Sequence, residues 1–188
     1  MDIQKLKELA KKYGRWSSWA IWNENNLDDT SIISQQVDKL HTNYVIVALN
    51  MSKELSIEWS NFHACKRGCH DGKLRSAFNG SNSEVRGAYM TDLLKMIDKN
   101  SKNISLILSE TSHDDIIKKQ KEDFKQELKN VGVTEKSKFI LIGREVQKHF
   151  HSFTDNKYQS TISLRHYSDY RLKAEQWVSQ SLAEINRA

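Results

Sequence analysis

The chain has 188 residues, 38% apolar and 28% charged, which fits one globular domain and excludes a disordered or fibrous protein. A formal net charge of +5 admits a polyanionic partner without demanding one. No apolar run nears the roughly 18 residues of a membrane span, and the charged N-terminus is no secretion signal. A protein in a reducing cytoplasm, with no membrane attachment, is therefore expected.

Ile3, Leu6, Leu9 and Ala10 fall on one face of a first helix, which Gly14 ends. Trp16, Trp19 and Trp22 follow in "RWSSWAIWNE". They suit an aromatic anchor that docks the first helix on the core, in preference to a base-stacking surface. "DDTSIISQQVDKL" reads as a second helix starting near Thr30 or Ser31. Tyr44–Leu49 is an apolar, β-branched strand that stops at Asn50-Met51-Ser52.

A loop-rich stretch over 53–87 holds Phe62, both cysteines and "HDGKLRSAFNGSNS"; loops this long in a compact domain are usually functional. "GAYMTDLLKMI" reads as a strand ending at Thr91-Asp92 and then a short helix. "NISLILSE" suits a strand or a connection, and 114–130 an amphipathic helix. "KFILIG" is a strand, "REVQKHF" a helix and "STISLRHYS" a strand that again ends on polar residues. The last helix puts Ala174, Val178, Leu182 and Ile185 on one face.

Strands alternating with helices predict a parallel sheet with helices on both faces. We expect a single α/β domain of three layers, α/β/α, over 1–188. Residues 1–40 would form a helical N-terminal region and 41–188 a core around a mainly parallel, four-stranded sheet.

Two strands thus end in polar motifs, "LNMS" at Leu49–Ser52 and "HYS" at His166–Ser168. In a parallel sheet both ends open on one side, where α/β proteins bind ligands. The pairing resembles the uracil-DNA glycosylase superfamily, in its mismatch-specific branch. Its first motif is a strand ending in G-x-N-P-S/G and its last a strand ending in H-P-S. Phe62 follows Asn50 at the spacing of the family's stacking phenylalanine. "DGKLRSAF" is similar to a family helix, and "GAYMTDLLK" to the stretch G-x-x-x-T-N-L-V-K that reads the base edge. The resemblance runs from about Asn43 to Ser181.

The resemblance implies a DNA glycosylase that flips a base from DNA and hydrolyses its N-glycosidic bond. Uracil or an altered pyrimidine would be the base, and repair or defence against foreign DNA the setting. Asn50 would position the water and His166 would stabilise negative charge on the departing base. Phe62, Asp92 and Leu49 would hold the base. Ser52, Lys53 and Ser168 would meet phosphates, Tyr170 would wedge into the vacated stack, and Arg171 would grip the opposite strand or a phosphate. The chain would act as a monomer without a cofactor. A module that binds a nucleobase, nucleotide or modified DNA without catalysis is the alternative.

The chain has no proline, and Met51 and Tyr167 stand where the family motifs carry one. Ala48 stands for the first glycine. Asp92 replaces an asparagine that would read uracil: an ionised Asp only accepts, which suits an amine such as cytosine N4. Outside the resemblance, Asp92 reads as a cap of a helix beginning at Leu93, and Phe62 as core. His63, Cys65, Cys69 and His70, in "HACKRGCH", can be drawn as a zinc site, but H-x-C-x3-C-H matches no zinc spacing. No metal is expected.

Overall fold

A computed structural model describes residues 1–51, 55–64, 70–95, 104, 107–109 and 114–188. The strands are β1 (Ser18–Trp19), β2 (His41–Met51), β3 (Ala88–Lys95), β4 (Lys138–Ile142) and β5 (Thr161–Leu164). The helices are α1 (Ile3–Tyr13), α2 (Ser31–Gln35), α3 (Asp71–Phe78), α4 (Asp114–Val131), α5 (Arg144–Phe153) and α6 (Ala174–Arg187).

Strand β2 organises the sheet. Tyr44–Ala48 is buried residue by residue, because a central parallel strand is covered on both faces. The order is β1-β3-β2-β4-β5. All pairs are parallel except β1 with β3, which is antiparallel. Among the described residues the sheet therefore has five strands and not the four expected. The fifth is β1, and a two-residue strand carries no periodicity to read.

Alternation along β2 and β4 divides the core. Val45, Val47, Phe139 and Leu141 pack with α1, α4 and α5. Ile46, Ala48, Ile140 and Ile142 pack with Leu74 and Phe78 of α3 and with Trp177 and Ile185 of α6. Chain β2 leaves through α3 toward β3, and β4 leaves through α5 toward β5, so the connections part at the β2/β4 neighbours. In such sheets the crevice at the carboxyl ends of those two strands is the ligand site.

Three further expectations are corrected. No helix begins at Leu93: β3 continues to Lys95, so Asp92 is a strand residue and caps nothing. Ile104 and Ile107 are helical, with the Leu108 N–H bonded to the Ile104 carbonyl at 2.9 Å. The described part of "NISLILSE" is thus not a strand. In α6 the buried positions are Trp177, Ser181 and Ile185, so the inward stripe is turned from the one drawn through Ala174 and Val178. The tryptophans do anchor the N-terminal segment: Trp19 and Trp22 are 0% and 3% exposed.

Candidate functional site

Asn50 follows Ile46 and Ala48 at period two, which gives it the parity of the sheet face covered by α3 and α6, while its register partner Leu94 packs into the other core. Asp92 follows Ala88 and Met90 in the same way, onto the same face. Ala48 and Asp92 are register partners, as are Asn50 and Leu94. Leu49 takes the other parity and packs against the α1/α4/α5 core. Its side chain is not brought to the site.

His166 lies two residues beyond the end of β5. Strands β2 and β5 both flank β4, so their ends are about 10 Å apart by strand spacing. The strand between them ends at Gly143, at φ 95°. A Cβ there would stand 3.3 Å from His166 Cδ2. The glycine thus provides both the left-handed turn and the room for the imidazole.

The ring of His166 is fixed on three sides. Tyr167 stacks on it, with centroids 4.6 Å apart and planes at 20°. Ser168 places its backbone N–H 3.2 Å from Nδ1 and its hydroxyl 2.7 Å from the same atom. A backbone N–H can only donate, so Nδ1 carries the lone pair and the neutral ring holds its proton on Nε2. Burial, and then the nearby His70, lower the His166 pKa, while Asp169 opposes them. The ring is therefore a neutral Nε2–H donor at physiological pH.

Asp92 is 3% exposed, and burial raises its pKa to about 6 against the opposing Lys95 charge and the Asn61 hydrogen bond. Asn61 Nδ2 donates to Asp92 Oδ2 at 2.9 Å. Asp71 also acts on Asp92, and His70 on His166. The start of α3 therefore lies near both groups and draws them into one neighbourhood.

The loop carrying Asn61 is held in unusual conformations. Trp59 and Phe62 adopt φ of 62° and 65°, uncommon for bulky side chains. Their backbones are tied down: Ser18 Oγ donates to the Trp59 carbonyl at 2.5 Å and Trp22 Nε1 to the Phe62 carbonyl at 3.3 Å. Phe62 itself is 5% exposed in the α3/α6 core, so most of its ring packs on protein.

Several expected nucleic-acid contacts are otherwise engaged. Ser168 turns both its donors onto His166. Arg171 forks onto Asp169, with Nε 2.9 Å from Oδ1 and a terminal nitrogen 2.7 Å from Oδ2. That guanidinium holds the Asp169 carboxyl well below the usual carboxylate range. Arg171 is thus a brace of its own loop. The brace leaves Tyr170 at the tip, 92% exposed. A cavity of about 630 Å³ opens beside His166, with Arg144 and Arg165 among its lining residues. A larger hollow of about 740 Å³ lies by the amino-terminal starts of β2 and β4, where Asp38 and Glu84 offset much of the lysine and arginine charge.

Ser52, Lys53, Cys65 and Cys69 lie outside the described residues. His63 is 2% exposed, stacks on Trp22 at 5.0 Å and sets Nε2 3.2 Å from the Trp19 carbonyl. Burial lowers its pKa to about 4, so it is a neutral core residue. Among the described residues no group of three His, Cys, Asp or Glu side chains is placed to hold a metal ion. No helix among them is long and apolar enough to cross a membrane.

Sequence reasoning missed Asn61 and Asp169. Asn61 sits in a loop with no pattern of its own; Asp169 offered one signal, an acid two residues before Arg171. Comparison with protein-family models, curated proteins and solved structures gives no match.

Proposed function

We propose that the chain is a DNA glycosylase that hydrolyses the N-glycosidic bond of uracil or an altered pyrimidine. The observation that carries this reading is the pair of Ser168 contacts on His166 Nδ1, which point to a proton on Nε2. As the C1′–N bond breaks, its electron pair leaves on the base and negative charge builds on the base oxygen. A neutral N–H donor, fixed beforehand, stabilises that charge without losing its proton. Asn50, on the same sheet face, orients a water whose oxygen bonds to C1′. The water's proton goes to the departing base or to solvent.

The partner would be DNA with its base turned out of the stack. Tyr170 is the exposed ring for the vacated space, and Arg144 and Arg165 are the cations for phosphates. Repair and defence against foreign DNA both fit such an activity.

The second reading is a module that binds a base without cleaving. An assay for abasic sites in oligonucleotides carrying different bases separates the two. Hydrolysis predicts strand scission on alkaline treatment, lost in Asn50→Ala and His166→Ala. Binding without scission for every base leaves the second reading. No binding at low salt, where phosphate contacts are strongest, removes both.

A further inference from the structure

Asn61 donates through the same nitrogen twice, to the Trp16 carbonyl and to Asp92 Oδ2, each at 2.9 Å. Both amide hydrogens are spent. The amide orientation is fixed, because a flipped Asn61 would set oxygen against oxygen at both contacts. Its carbonyl oxygen is left as an acceptor. Among the described residues no donor stands on Asp92 Oδ1 either. A buried carboxylate normally collects several donors; this one has a single side-chain donor, on Oδ2, while Oδ1 is not fully enclosed and keeps a narrow opening to solvent.

The pair therefore combines a carboxylate, one oxygen of which still reaches solvent, with an amide that has only an acceptor to offer. Both lie at the carboxyl end of β3, on the face shared by Asn50. We propose that Asn61 and Asp92 form a base reader whose free edge carries acceptors only. It takes a pyrimidine with an exocyclic amino group and rejects one with a carbonyl at that place. The inference rests on the glycosylase reading and names its substrate class. Asn61 acts through Asp92, aiming Oδ1 at the ligand, and is a positioning residue. A carbonyl on the ligand would face two acceptors and leave the buried carboxylate without its donor. An amine supplies hydrogens to both.

The rival is a clamp: Asp92 merely accepts from Asn61 to hold the 55–64 loop. Base preference separates them, because a clamp is blind to the ligand. The probes are oligonucleotides carrying one cytosine, 5-methylcytosine, uracil or thymine on a 2′-fluorinated sugar that resists cleavage, in competition binding. The wild-type protein should favour the amino bases at least about fivefold, the low end of a good base-edge contact. Asp92→Asn adds a donor and should reverse the order toward uracil. Asn61→Ala frees the carboxylate to turn and should narrow the ratio while the fold, followed by circular dichroism, stays intact. A wild-type protein that prefers uracil overturns the inference, and excision of uracil in the abasic-site assay would then leave the glycosylase reading standing. An order unchanged by both substitutions also overturns it and makes the pair a clamp. Failure to bind any oligonucleotide overturns both the inference and the reading beneath it.

Discussion

Among the described residues two carboxylates are buried beside β3, one on each face of the sheet, and they are treated differently. Glu127, from α4, is 2% exposed and fully engaged. It accepts from the Tyr89 hydroxyl at 2.9 Å and the Thr91 hydroxyl at 2.5 Å, and pairs with the Lys95 ammonium at 3.0 Å. Lys95 in turn donates to Thr91 Oγ1 at 2.8 Å and to the Asp92 carbonyl. Asp92, on the opposite face, has one donor among the described residues, Asn61. Burial is nearly equal, so partnership makes the difference. A closed network fixes a core, whereas an open one leaves a group to be completed by a ligand.

The largest effect should come from breaking the closed side. Glu127→Ala leaves the Lys95 charge and two hydroxyls buried without their acceptor, at a cost of about 3–5 kcal/mol. Urea unfolding measures it, as a lower midpoint at an unchanged slope.

The open side should respond in the opposite sense. A folded-state pKa near 6, against 3.8 unfolded, means that the folded chain holds the Asp92 proton more tightly. Stability is gained as pH falls from 6 to 3.8, and the full cost of the ionised form, about 3 kcal/mol, is present above pH 6. Lys95, Asp71 and Glu127 set the local field. Asp92→Asn should therefore be more stable than the wild type at pH 7.5, with the gap closing toward pH 4. A destabilised variant at pH 7.5 would show that Asp92 belongs to a satisfied network like that of Glu127.

His63 sharpens the comparison. Its folded pKa of about 4 lies below the ordinary 6.5, so its contribution is whole above pH 6.5 and lost as pH falls toward 4. The size is again about 3 kcal/mol, with the opposite sign over almost the same window. The two should nearly cancel each other, so that only the lowered pKa values of His41, His149 and His166 are left to weaken the wild type between pH 6.5 and 4. Asp92→Asn removes one member of the pair and should expose a steep acid loss. A wild-type curve as steep as the variant's would mean that the two groups do not oppose each other.

The smallest effect on stability should come from Tyr170→Ala. The ring is 92% exposed, and its loss should move the unfolding free energy by no more than about 0.5 kcal/mol. DNA affinity should fall several-fold, read by fluorescence polarisation.

Much of the fold was legible because its signals are long. Tyr44–Leu49, "KFILIG" and the helix from Asp114 carry enough residues to show a period or an unbroken apolar run. Strand β1 was not legible at two residues, and its pairing is decided by β3. The end of β3 was misread because Asp92-Leu93-Leu94-Lys95 has an acid followed by good helix formers, while burial on both faces held the chain extended. At the site, Asn50 and His166 could be placed because strand ends and parity fix them. Asn61 could not, since its role depends on a loop folding back onto the Trp16 carbonyl, a contact 45 residues away in sequence. Ser168 and Arg171 are both exposed, yet each also bonds a residue two positions away, too local an effect for spacing to reveal.

The account turns on His166 as a neutral donor, and its protonation is directly measurable. A long-range proton–nitrogen NMR spectrum of imidazole-labelled protein at pH 7, assigned with His166→Gln, separates the two tautomers and the charged ring. The account predicts a protonated Nε2 and a bare Nδ1, held down to a pH below the ordinary imidazole range. Ser168→Gly, which removes the hydroxyl and keeps the backbone donor, should preserve that tautomer. A proton on Nδ1, or an imidazolium at pH 7, would contradict it.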